Sequence, residues 1–337
     1  MMVPLRTAKG EVMAQGKLLF AFLLLALPVE AQVFEDHFNY PNGSLLPGWT
    51  QEKGSWTVRN GRLVGTGQGW RFLSKKGIRA KDCVMEGTFF FAGQGLQFGG
   101  LAGRQPGKGS ATNLVLGKIQ NNWGGKGFDQ AYLYELPSKH IFTNLTKRGV
   151  PSVSLRLLLL DDKAWLRMDT DRDGFFESSL GPILLTHVKG PGLVGFGSYG
   201  PTEMDDFKFY DAVLMEVPGS VPRIGGAYKM RLRAPSTGTG PTAYACFASF
   251  GNAGIPLKAR KIPLSSDPLF TLCFFLPQVF PRFFGYLDAK GDAYPEIRIP
   301  KDPALSGLIL HVAGITLDPR KPFGVGAISN DHQFRIR

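Results

Sequence analysis

Cysteine is scarce: three residues, Cys83, Cys246 and Cys273, in a chain of 337. That excludes the disulfide framework on which small secreted domains rely. Cys246 and Cys273 lie in neighbouring apolar stretches, so they either pair or remain buried thiols, with Cys83 left over. Runs of one charge are also missing. Lys and Arg number 39 against 27 Asp and Glu, a formal net charge of +12. Yet the basic residues are scattered, in pairs such as Lys75-Lys76 and Lys147-Arg148. Without a basic run, the electrostatic footprint of nucleic-acid binding is absent and no nucleic-acid partner is expected. No stretch reaches 18 consecutive apolar residues, so no transmembrane segment is expected after signal cleavage. The five histidines, His37, His140, His187, His311 and His332, show no metal-ligand spacing. There is no His-Glu-x-x-His and no Gly-x-Ser-x-Gly. Residues 103–110, GRQPGKGS, fall short of a phosphate loop, because one residue is missing between the glycines and Gly109 separates Lys108 from Ser110. Sustained helical periodicity is nearly absent too.

What the chain has is an address and many strands. Lys9 and Lys17 precede an apolar run from Leu18 to Leu27, and Val29 and Ala31 stand at −3 and −1 before Gln32. This is the signal-peptide pattern over residues 1–31, and it predicts a secreted or extracytoplasmic mature chain beginning near Gln32. The composition holds 43 Gly and 24 Pro with no collagen-like period, which suits short strands joined by turns. The stretch from Ser55 to Gly67 alternates on both sides of Asn60-Gly61, the signal of a type I′ hairpin. Alternation continues through CVMEGTFFFAG, TNLVLGKIQ, QAYLYEL, SVSLRLLLLDDKAWLRMDT and GLVGFGSYGPTEMDDFKFYDA.

After Glu216 the texture changes. Residues 217–226, VPGSVPRIGG, read as a linker between a domain over 32–216 and a second over 227–337. The second domain shows shorter strand signals at Ala227–Arg233, Thr242–Phe250, Leu269–Leu276, Phe283–Leu287, Tyr294–Ile299 and Leu308–Ile315, with a hairpin turn at Asp288–Ala293. The fold class predicted is all-β, a large sandwich followed by a smaller C-terminal β-sandwich.

Two stretches carry chemistry. DTDRDGFFE, Asp169 to Glu177, opens like a calcium loop, but position twelve is Leu180 rather than a bidentate carboxylate, and the flanks are strand-like. Asp173-Gly174 is itself a turn signal. The stretch therefore reads first as a solvated hairpin tip; the alternative is a structural calcium ion held by Asp169, Asp171, Asp173 and a backbone carbonyl, since three close carboxylates repel without a cation. NNWGGKGFDQAYLYE, Asn121 to Glu135, sets Trp123 among glycines and amides. Aromatic rings stack on apolar sugar faces and amides read sugar hydroxyls. Trp123, Asn121, Asn122, Asp129 and Gln130 are the candidate sugar ligands, with Trp70 as a second platform; the alternative is that Trp123 plugs the sandwich edge.

FEDHF at Phe34–Phe38, GWTQEKGSWTVRNGRL at Gly48–Leu63, the RMDTDRDGFFE hairpin and the closing VGFGSYGPTEMDDFKFY together resemble the concanavalin A-like lectin/glucanase jelly roll, which includes laminin G-like domains. The resemblance covers Val33 to about Leu214. It implies an opening acidic-aromatic strand beside a closing Asp-Asp-Phe strand. The glucanase branch also carries Glu-x-Asp-x-x-Glu on one strand, with nucleophile and acid in one cleft; that spacing does not occur here. Val221–Arg337 is similar to a C-terminal β-sandwich module of secreted bacterial proteins, on the strength of LDAKGDAYPEIRIPKDPALSGLILHVAGITLD and AISNDHQFRI. The leading expectation is secreted, non-catalytic recognition of an extracellular or cell-surface glycan. The alternatives are a glycan-cleaving hydrolase of a branch without the glucanase motif, and a structural or adhesive envelope protein.

Overall fold

A computed structural model describes residues 34–337 of the protein, except 45, 67–68, 94, 108–111, 122–124 and 237–239. The signal segment and its cleavage point lie outside the described residues. The described residues form two compact units, one up to Val213 and the other Leu214–Arg337.

The described strands of the first unit are β1 (Phe34–Asp36), β2 (Trp49–Lys53), β3 (Ser55–Arg59), β4 (Arg62–Thr66), β5 (Arg71–Ala80), β6 (Cys83–Phe90), β7 (Phe98–Gln105), β8 (Leu114–Gln120), β9 (Gln130–Leu136), β10 (Lys139–Asn144), β11 (Ser152–Leu160), β12 (Lys163–Asp169), β13 (Ser178–Leu184), β14 (Gly192–Tyr199) and β15 (Glu203–Tyr210). They form two antiparallel sheets. One runs β13-β12-β11-β6-β15-β4-β3, with β1 added on β15; the other runs β10-β9-β8-β7-β14-β5-β2. Between them lies a core that includes Leu73, Leu101, Val115, Leu133, Leu157, Leu166, Phe196 and Phe207.

Glycines in β7 and β8 set the spacing of the sheets. A Cβ on Gly103 would meet Leu159 Cδ1 at 2.5 Å and Met85 Cε at 2.8 Å, and one on Gly117 would meet Leu166 Cδ1 at 2.7 Å. These positions let large side chains of the opposite sheet press against bare backbone. The expected hairpin at Asn60-Gly61 is present, with φ of 52° and 72° joining β3 to β4. The opening and closing strands pair as the resemblance implied, Phe34 opposite Phe209 and Asp36 opposite Phe207. Asp36 anchors that edge by accepting bonds from Phe38 N (2.9 Å), Tyr40 Oη (2.9 Å) and Trp49 Nε1 (2.8 Å).

Glu135 ties β9 to the segment after β13. Fully buried, it accepts the backbone N–H groups of Thr186 (2.7 Å), His187 (2.6 Å) and Val188 (2.9 Å). Burial pushes its carboxyl up, but the N–H groups of Thr186, Val188 and His187 outweigh burial and hold it at about 2.

The second unit is a smaller sandwich. Its strands are β16 (Val213–Glu216), β17 (Ala227–Arg233), β18 (Ala243–Ser249), β19 (Ile255–Leu257), β20 (Arg260–Ile262), β21 (Phe284–Tyr286), β22 (Asp292–Ala293), β23 (Glu296–Arg298), β24 (Ile309–Leu317), β25 (Val325–Ile328) and β26 (His332–Arg335). One sheet is β16-β17-β22 with β23 on β17; the other is β21-β18-β24-β25 with β26 on β24. A Cβ on Gly314 of β24 would meet Leu232 Cδ1 of β17 at 2.9 Å, so the sheets face one another. β16, placed by the sequence at the end of the first domain, pairs instead with β17. Residues 217–226 bond within this unit, for example Ile224 N to Arg337 O at 2.9 Å.

Two sequence expectations fail here. Leu269–Leu276 is not a strand: α1 (Pro268–Leu272) occupies its start, capped by Asp267, whose side chain accepts from Phe270 N, with Pro268 in the first turn. The Asp288–Ala293 turn links β21 and β22, which lie in different sheets, so it is not a hairpin. The three cysteines are free and buried. Burial raises the Cys83 and Cys273 thiols to about 12, which makes them inert.

Candidate functional site

The seven-stranded sheet has two unlike faces. On β8, Val115 and Ile119 enter the main core, while Leu114 and Leu116 belong to a second cluster on the opposite face. The period of two puts Lys118 and Gln120 on that outer face as well. Cross-strand register then builds two rows. One reads Gly100, Lys118, Tyr132, Phe142 across β7, β8, β9 and β10; the next reads Phe98, Gln120, Gln130, Asn144.

The rings form a shelf of two groups that meet at Lys118. Phe142 stacks on Tyr132 (5.4 Å, 23°), Tyr132 on Tyr134 (5.6 Å, 18°) and Tyr134 on His140 (5.1 Å, 25°). In the second group Phe98 packs against Trp70 (4.5 Å) and Tyr199 (5.9 Å). Phe142 is 56% exposed at the rim. Beside the rings runs a polar chain: Gln120 Nε2 donates to Tyr132 Oη (3.1 Å), Tyr132 Oη to Gln130 Oε1 (2.9 Å), and Gln130 Nε2 to Asn144 Oδ1 (3.2 Å).

Lys118 sits amid the rings, only 4% exposed. Its Nζ lies 4.3 Å from the Phe98 centroid, 4.9 Å from Tyr132, 5.1 Å from Tyr134 and 5.7 Å from Trp70. It donates to Gln120 Oε1 at 2.7 Å. Burial lowers its ammonium to about 8. Gly100 lets β7 and β8 approach closely here, since a Cβ there would strike the Gly117 carbonyl as well as Lys118 Cβ and Cα.

The candidate sugar ligands separate. Trp70 and Gln130 reach this face. Asn121 does not: it is fully buried, its Oδ1 accepts from Gln97 N (2.7 Å) and its Nδ2 donates to Gly95 O (2.8 Å), so both ends are consumed by backbone. Asp129 is likewise buried, with Oδ1 accepting from Gly149 N at 3.0 Å, and it holds a loop rather than facing a ligand. Trp123 and Asn122 lie outside the described residues. Lys118, Gln120, Tyr132, Tyr134, His140 and Phe142 were missed. A signal existed in QAYLYEL, where Ala131 and Leu133 alternate with Tyr132 and Tyr134: both faces are apolar, but only one can enter the main core.

The acidic hairpin joins β12 to β13 as expected. Asp169, Asp171 and Glu177 bring carboxylate oxygens within 4.8 Å of one another. Asp173 does not join them; its Oδ1 accepts from Phe175 N at 2.7 Å and shapes the turn, and Glu177 takes its place. Burial raises the Asp169 carboxyl to about 6; the N–H groups of Arg172 and Gly174 oppose the rise, and the charges of Glu177 and Asp173 add to it. An all-oxygen set of carboxylates suits a hard cation such as calcium.

The two sheets, their order and the paired terminal strands make the first unit an antiparallel two-sheet jelly-roll sandwich. No protein-family model matches the chain, and no curated protein matches it. Among solved structures it is similar to a carbohydrate-binding module from Bacillus subtilis (16% identity, 48% of this chain and 93% of that one, TM-score 0.35). It is similar also to a Bacillus licheniformis β-glucanase (8% identity, 54% and 99%, TM-score 0.38). A third is a xylan β-1,4-xylosidase from Bacillus halodurans (16% identity, 55% and 40%, TM-score 0.41). Among the described residues no helix is long and apolar enough to cross a membrane.

Proposed function

We propose that the first unit binds an extracellular glycan without cleaving it, on a protein exported by its N-terminal segment. The observation that carries this is the outer face of the seven-stranded sheet, where a stacked aromatic shelf runs alongside the polar chain Gln120–Tyr132–Gln130–Asn144. Sugar rings are apolar on their C–H faces and polar at their rims. A ring shelf supplies the first contact; amides and a phenol replace the water that the hydroxyls give up. The hydroxyl readers are already oriented by bonds among themselves, so little side-chain freedom is lost on binding. Calcium at Asp169, Asp171 and Glu177 belongs to the same proposal, as an ion that steadies the β12–β13 hairpin.

The test is a glycan array probed with the secreted protein, followed by a reducing-end assay on every glycan bound. Binding without release of reducing ends supports recognition. Release of ends makes the protein a hydrolase, and capture of a protein with no glycan bound makes it an adhesive component.

A further inference from the structure

We propose that the glycan is anionic, a polysaccharide bearing carboxylate or sulfate groups, with one acidic group received by the Lys118 ammonium. The inference rests on the glycan-binding reading and adds the chemical class of the ligand.

A neutral sugar requires rings and amides, and this face has both without Lys118. A cation placed among the rings is an additional feature, and a costly one. Removing an ammonium from water is expensive unless an opposite charge or several hydrogen bonds replace the solvent. Ring faces offset part of that cost. The fold adds one bond, to Gln120 Oε1 at 2.7 Å. Among the described residues no carboxylate lies within the 4.0 Å that defines an ion pair with Lys118. An ammonium has three donors, so the group keeps donor capacity beyond Gln120.

Lys75, on the same sheet, shows the contrast. Its Nζ also lies over a ring, 3.4 Å from the Phe34 centroid, and burial lowers it to about 8. There the charge of Asp36 opposes the shift. For Lys118 burial acts alone. Neither lysine has an ion-pair partner among the described residues, but only Lys75 has the charge of a nearby carboxylate acting on it, and Lys118 is a cation with no such counter-charge beside it. Gly100, its cross-strand neighbour, lets β7 lie close against β8, since a Cβ there would strike the Gly117 carbonyl as well as Lys118 Cβ and Cα.

A glycan fits this geometry better than a nucleic acid. One buried cation matches one acidic group on a sugar held by the shelf, whereas a phosphate backbone calls for several exposed cations along a track. The net charge of +12 favours approach of any polyanion but does not choose between them.

The experiment uses the full secreted chain and calorimetric titration. The probes are polygalacturonate, alginate, hyaluronan and heparin, each beside its carboxyl-reduced or desulfated counterpart, with a single-stranded oligonucleotide as competitor. At least one acidic polymer should bind about tenfold or more tighter than its neutral counterpart, the scale of one charge-assisted contact. Lys118→Gln should erase that ratio while retaining weak binding through the rings; Lys118→Arg, which keeps the charge, should retain it. Melting of each variant confirms folding. Equal binding of acidic and neutral partners, or a ratio that survives Lys118→Gln in the folded protein, overturns the anionic inference and leaves glycan recognition standing. Binding to neither, here or on the glycan array, removes both. A Lys118-dependent preference for the oligonucleotide makes the occupant a nucleic acid and overturns the inference.

Discussion

Lys118 and Gln120, two positions apart on β8, are joined by a 2.7 Å hydrogen bond on the outer face of the seven-stranded sheet, and the bond turns an amide oxygen towards a buried cation. The cation's ordinary value is lowered to about 8 by burial. In the unfolded chain the same lysine titrates near 10.4. Between those values the unfolded state holds more protons, so Lys118 makes stability rise with pH through the window from about 8 to about 10. Affinity for an acidic ligand should move the other way, falling above about 8 as the ammonium is lost. Tyr132, Tyr134 and His140 face or border the lysine. Burial raises both phenols, which places their ionisation above that window. Melting and titration at pH 7 and pH 9.5, for the native chain and Lys118→Met, check the pair of trends. Lys118→Met should melt no lower than the native chain at pH 7, since an apolar group replaces a buried charge.

Glu135 is expected to be a stability residue rather than a ligand. Glu135→Gln loses acceptor capacity towards the Thr186, His187 and Val188 amides and should cost about 1–3 kcal/mol. Its folded value of about 2 lies below the unfolded value. Its contribution is therefore full above about pH 4.3 and lost as pH falls towards 2. Chemical denaturation of native and variant chains at pH 7 and pH 3 should show the difference between them shrinking at the lower pH.

The β12–β13 hairpin should respond to calcium. Asp169, raised to about 6, holds more protons folded than unfolded between about pH 4 and pH 6, so stability falls as pH rises through that window. A cation at neutral pH relieves this. At a hundredfold excess over its dissociation constant it should add about 2.7 kcal/mol. Melting in millimolar calcium against chelator measures the gain, and Glu177→Gln should shrink it more than Asp173→Asn, because Glu177 joins the oxygen cluster and Asp173 does not. No shift with calcium removes the ion from the account.

The jelly roll was legible because its strands alternate and its turns are marked. The Asn60-Gly61 hairpin was read from local chemistry; the pairing of Phe34–Asp36 with the closing strand came only from the jelly-roll resemblance. The binding face was legible only in part. Trp70 and Gln130 were found by residue type, but Asn121 and Asp129 share that type and are spent on backbone amides. Residue type reveals what a side chain offers, not which partner already holds it. Lys118 gave no local signal; its setting comes from Phe98, Trp70, Tyr132 and Tyr134, gathered from two strands and a connection. In the second unit the apolar run Leu269–Leu276 suggested a strand, while the Asp267-Pro268 cap that starts a helix went unread.

The most direct test of glycan recognition on the outer face is Phe142→Ala, assayed for melting temperature and for affinity towards a glycan identified on the array. Phe142 is 56% exposed and stacks only at the shelf's rim, on Tyr132. Its loss should leave the melting temperature within a degree or two, since surface changes away from packed features alter stability by about 0.5 kcal/mol or less. Affinity should fall by about 1–2 kcal/mol, the value of an aromatic platform under a sugar. Unchanged affinity in both Phe142→Ala and Tyr132→Ala, with the proteins folded, would contradict the account and move the glycan to another surface.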